Sequence, residues 1–230
     1  MDQQLANTLY TASTWVLPVL LAITLHEASH GFVAPLRGDD TAWRLGRVSF
    51  NPLKHVDPFG TILLPGLLLF LHSPFLFGYA KPVPVNFGAL KNPRRDMVLV
   101  AAAGPGINIA LAIAAGLLAH AAGFLPAGAQ QWTVLNLENA IVINVVLAVF
   151  NMIPLPPLDG GRVAVGLLPD VLARPLARLE NYGMVIIIGL IFILPLVGAQ
   201  LGQNLNVIGW LLGGPVDSII TAVLRLTGNG

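Results

Sequence analysis

His26-Glu27-Ala28-Ser29-His30 reads as HExxH. In a helix, residues four apart share a face, so His26 and His30 can turn two imidazoles toward one ion. Glu27 stands beside them. This is the two-histidine zinc grip with an adjacent general base. Zinc that performs hydrolysis takes three protein ligands and keeps a fourth position for water. The third ligand must therefore come from elsewhere. Asp159 is the candidate, an acidic residue in Leu158-Asp159-Gly160-Gly161, where two glycines allow close approach. Its competing reading is a helix cap or a turn aspartate. Glu27 would take a proton from the attacking water and pass it to a leaving amine. Asn151 and Asn108 could donate hydrogen bonds to substrate or to an oxyanion, or bond helix to helix. His55 reads as a structural or interfacial histidine.

The elements that must position these residues are membrane spans. Of the 230 residues, 55% are hydrophobic and 10% charged, and the mean hydropathy is +0.76. A soluble domain carries about 25% charge. At about 20 apolar residues per span, the length allows five or six spans and no large soluble domain. A net charge of +1 points to no nucleic-acid partner, and there are no cysteines for disulfides or thiolate metal sites. No charged residue lies between Asp2 and Glu27, so the motif ends an apolar run. Ionisable groups at membrane depth are costly and mark functional sites.

Six apolar segments follow from the pattern, at about 5–33, 59–77, 97–123, 137–153, 184–197 and 205–226. The expected fold is an all-α polytopic membrane protein with a re-entrant segment and a small β-hairpin or strand region near the site. The alternation of Trp43, Leu45, Val48 and Phe50 predicts short strands. Lys81-Pro82-Val83-Pro84-Val85-Asn86 predicts an extended edge lacking two amide donors. Such an edge could hold an unwound substrate segment by strand addition.

Segment two is expected to enter and leave on one face. The ligands lie near the C-terminal ends of segments one and four, and both ends must share a side. Three crossings between them would part them, and Pro65-Gly66 and Pro74 break segment two. Irregular backbone is tolerated at that depth where protein surrounds it. The loops rich in Lys and Arg then share one side, and Arg162, Arg174, Arg178 and Arg225 fall there too if segment six crosses. The positive-inside rule makes that side cytoplasmic. The expected location is the cell membrane, multi-pass, with the site within the bilayer nearer the cytoplasmic face.

Five stretches together carry a family resemblance: HEASH at 26–30, GRVSFNPLKHVDPFGT at 46–61, GYAKPVPVN at 78–86, AAGPGIN at 102–108 and NMIPLPPLDGGR at 151–162. In this order they resemble the site-2 protease family of intramembrane zinc metalloproteases. The resemblance implies hydrolysis of a transmembrane segment of a single-span membrane protein, within the bilayer. It implies Zn2+ held by His26, His30 and Asp159, with Glu27 as base and Asn151 assisting. Ala28 departs from the pattern, standing where a branched aliphatic residue is frequent. No PDZ domain separates the motif regions and no CBS module follows them. The chain thus reads as a single, compact membrane-embedded protease domain over 1–230, with a catalytic core at about 5–162 and C-terminal helices at about 163–230. Two alternatives stand beside this one. In one, a transporter or metal-ion carrier uses the same cluster as a transit site. In the other, the chain is an inactive, substrate-binding relative.

Overall fold

The computed structural model describes residues 3–70 and 78–230. The elements are α1 (Gln3–Leu36), α2 (Thr41–Arg44), α3 (Leu64–Phe70), α4 (Pro93–Ala119), α5 (Ala127–Asn151), α6 (Asp159–Leu167), α7 (Asp170–Arg178), α8 (Glu180–Ile188), α9 (Leu194–Gln200) and α10 (Val207–Leu226). A π-helical turn, Pro58–Leu63, leads into α3, and another joins α8 to α9. Among the described residues, five helical runs are long and apolar enough to cross a membrane: α1, Pro93–Phe124, α5, Glu180–Gln200 and α10. The chain is a helical, multi-pass membrane protein.

Three of these helices build the frame. Along α1 from His26 to His30, the partners on α4 fall from Asn108 to Val100, so the two helices are antiparallel. Thr14 meets Asn139 on α5, and Asn108, bonded to the Ala22 carbonyl, reaches Asn144, so α5 runs parallel to α1. Small residues let α4 lie close to its neighbours: Ala112 and Ala115 pack with Ile141 and Val145 of α5 and Val223 of α10. The α5 helix starts ten residues before the expected segment. Its early turns are too polar to read as a span, and they satisfy their polar groups on α1, with Trp132 bonded to Ser13 and Asn139 to Thr14.

Several expectations need correction. Among the described residues there is no β-strand, so the hairpin expected near residues 43–50 is absent. Asp39 takes the Thr41 amide and hydroxyl and starts a single helical turn instead. Arg47 then donates to the carbonyls of Lys54, Lys81 and Pro82, which a ladder would have needed. Residues 78–86 stay extended but unpaired as a strand. The re-entrant path is not supported either. The described part of segment two runs on as one helix to Phe70 without turning back, and Pro74, expected to break it, lies outside the described residues. The Lys91 amide donates to the Arg37 carbonyl at 2.8 Å, so the chain between them leaves and returns at the same end of the frame. Finally, Arg225 lies at the other end. Thr227 and Asn229, just beyond it, bond His120 and the Gly116 carbonyl at the C-terminal end of α4.

Candidate metal centre

His26, His30 and Asp159 come together from α1 and the first turn of α6, and all three are buried. One candidate ligand atom from each lies within 4.8 Å of the others. Nε2 of His26 and Nε2 of His30 are 3.3 Å apart. Asp159 Oδ2 is 3.2 Å from the first and 3.4 Å from the second.

The other ring nitrogens decide the chemistry of this cluster. His26 Nδ1 faces Asn108 Oδ1 at 2.6 Å. The Asn108 amide nitrogen is committed to the Ala22 carbonyl and to Asn144 Oδ1, so its oxygen must accept. His30 Nδ1 faces the Val100 carbonyl at 2.7 Å, another acceptor. Both Nδ1 atoms therefore carry the proton and donate. In the neutral rings this leaves both Nε2 atoms bare, aimed at each other and at a carboxylate oxygen. Asp159 Oδ2 is buried and has no hydrogen-bond partner. Three electron pairs and one negative charge thus converge where nothing donates to them. A bound cation resolves this, and the two-imidazole, one-carboxylate set fits zinc.

Local sequence builds the approach. Gly104 on α4 faces the rings, and a Cβ there would stand 2.5 Å from His26 Cε1 and His30 Nε2. Gly160 packs against the Met152 carbonyl, where a side chain has no room, so the turn can fold under Asp159. Asp159 is the first residue of α6, whose cap position is Leu158, so it does not serve as the cap.

The remaining sequence candidates fall in different places. Glu27 is partly buried beside the histidines, and its Oε2 accepts the Val83 amide at 2.8 Å. That bond brings Lys81–Asn86 to the site: Lys81 N–H donates to the His55 carbonyl and Asn86 N–H to Asp39 Oδ2. Asn151 bonds back to Leu147 on its own helix at 3.0 Å. His55 is buried, with Nε2 on the Ser49 carbonyl, a structural position. Asn108 is the site residue that sequence reasoning undervalued. Its signal was a lone amide in the apolar run of α4, which reads equally well as helix-to-helix bonding.

Comparison with known proteins bears on the family. The family model described as Peptidase family M50 matches residues 126–196, a stretch that includes Asp159. YwhC of Bacillus subtilis, a candidate zinc metalloprotease, is 37% identical over 214 residues, covering 90% of this chain and 92% of its own. Rip2 of Mycolicibacterium smegmatis, also a candidate zinc metalloprotease, is 30% identical over 75% of this chain and 64% of its own. Rip2 of Mycobacterium tuberculosis, named in the same way, is 29% identical over 84% of this chain and 70% of its own. No solved structure matches the chain. The near end-to-end similarity to YwhC, together with the motifs, shows that the chain belongs to peptidase family M50, the site-2 protease family.

Proposed function

We propose that this chain is a zinc metalloprotease that cuts single-span membrane proteins within their transmembrane segments. The observation that carries the proposal is the convergence of two bare imidazole nitrogens and an unpartnered carboxylate oxygen, one residue from Glu27. His26, His30 and Asp159 would hold the ion. When bound, zinc supplies Lewis acidity and makes a water acidic enough to attack at neutral pH. Glu27 takes the proton from that water and hands it to the departing amine. Asn108 and the Val100 carbonyl fix the ring orientations, and burial keeps bulk water from the cluster. Asn151 would assist substrate or oxyanion once its side chain leaves the Leu147 carbonyl.

A helical substrate hides its carbonyls in internal hydrogen bonds, so it must unwind before attack. Lys81, Pro82, Val83, Pro84, Val85 and Asn86 would hold the unwound stretch. The backbone there is extended, as that role requires. Its donors are few: the amides of Lys81, Val83 and Asn86 are already used, and the prolines have none. Among the described residues the Val85 amide is the one left to a substrate strand. The whole chain acts as one membrane-embedded protease domain, its core at about 5–162 and its C-terminal helices at about 163–230. The metal end faces the cytoplasm. Support comes from charge: every Lys and Arg but Arg225 lies in the stretches 37–95 and 162–178, at that end.

The test is direct. Detergent-purified protein is incubated with a panel of single-span substrates, with and without a zinc chelator. Cleavage of at least one substrate, abolished by chelator and restored by zinc, is the expected result. Chelator-insensitive cleavage would contradict the proposal.

A further inference from the structure

We infer that the backbone amide of Val83 orients the Glu27 carboxylate, which makes Val83 a positioning residue for the base. The inference rests on the proteolytic reading and goes beyond it, because it gives the extended segment a second task besides holding substrate. A glutamate has three free side-chain torsions, and a base is effective only when it points at its proton. Among the described residues, the Val83 N–H is the hydrogen-bond donor that reaches Glu27, at 2.8 Å on Oε2. One oxygen is thereby tied and the other remains free to accept.

The donor sits on a fixed platform. Pro82 and Pro84 flank it, lock their own φ angles and offer no competing N–H. Arg47 holds the carbonyls of Lys81 and Pro82 from behind. The Val83 side chain is buried. It packs where α1 is bare: a Cβ at Gly31, one turn past Glu27, would stand 2.8 Å from Val48 Cγ2 and 3.2 Å from Val83 Cγ1. The missing side chain at position 31 is what lets the segment come close enough for its amide to reach position 27.

The experiment uses the full chain, a cleavable single-span substrate and three variants. Val83→Pro removes the N–H and keeps an extended backbone and similar bulk. Val83→Ala keeps the N–H and trims the side chain. Gly31→Ala crowds Val48 and the Val83 side chain and so pushes the segment away, while Glu27 and the Val83 N–H are kept. Val83→Pro should lower kcat by ~10-fold or more, with KM and zinc content unchanged. Gly31→Ala should lower kcat to a similar extent and, because it moves the substrate-holding segment, raise KM as well, and Val83→Ala should lose much less kcat. Amide exchange supplies a readout independent of activity: the Val83 N–H should exchange faster in Glu27→Ala than in the wild type. Wild-type kcat in Val83→Pro would overturn the inference. So would equal losses in Val83→Pro and Val83→Ala, a rise in KM alone, or Val83 exchange unmoved by Glu27→Ala. A Glu27→Gln variant separates the two levels. If it cleaves normally, the assignment of the base has failed. If it is inactive while Val83→Pro is normal, only the orienting role has failed.

Discussion

Asn108 shows how the metal centre depends on residues that never touch the ion. It is fully buried, and its three polar contacts leave no slack: the His26 ring, the Ala22 carbonyl and Asn144, which in turn donates to the Ala140 carbonyl. Replacing it with alanine frees His26 to rotate and to shift its proton to the nitrogen that should bind the ion. Asn108→Ala should weaken zinc binding by about 10–100-fold, measured by competition with a calibrated chelator. Unchanged affinity would mean that the helix frame alone sets the ring. The His26–His30–Asp159 cluster was legible from the sequence, since HExxH places two of its members on one helix face. Asp159 was legible because it is an acid on irregular backbone beside two glycines. Asn108 was not, because an amide in an apolar helix bonds a neighbouring helix in either case. Here it does both.

At the scale of elements, apolar runs located the spans, and polar side chains misplaced their ends. The start of α5 carries Gln130, Gln131, Asn136 and Glu138, which lower its apparent hydropathy. Trp132 and Asn139 find partners on α1 and Asn136 bonds back to the Trp132 carbonyl, so the helix continues through them. The region between α1 and α4 was misread for a related reason. Alternation at 43–50 suggested strand pairing, but the ladder donors and acceptors there are taken by Arg47, Asp39 and Glu27. Charge-assisted side-chain bonds replace a sheet, and no periodicity announces them. Arg47 is the main fastener, joining residue 54 to residues 81 and 82. Its contacts are partly exposed, so Arg47→Ala should cost only about 1 kcal/mol of stability. The same variant should make residues 78–86 cleavable in limited proteolysis, where the wild type resists. Equal protection in both would show that the carboxylate anchors suffice.

The whole molecule is ordered by one asymmetry. The metal cluster, the irregular region and nearly all basic residues gather at one end of the α1, α4 and α5 frame. Charge distribution along the sequence already pointed there. Arg225 was placed wrongly because hydropathy gives the length of α10 but not its direction. Its contacts with Gly116 and His120 supply that direction. With Arg37 bonded to Lys91, cysteines placed at positions 40 and 91 should be labelled by an impermeant reagent from the same face of the membrane. Under the cytoplasmic placement proposed above from the charge bias, that labelling should require permeabilisation. Opposite-face labelling would break the shared-end arrangement.

Central to all three scales is the proposed division of labour between three residues that would hold an ion and one that would move a proton. Glu27→Gln tests it most directly, because it keeps size and shape, removes the base and leaves every ligand atom in place. The quantity to measure is the cleavage rate of a single-span substrate by the purified variant, with zinc content determined on the same preparation. The expected result is about one zinc per chain, as in the wild type, and a rate lower by at least ~100-fold. A zinc-replete Glu27→Gln protein that cleaves at close to the wild-type rate would contradict the account.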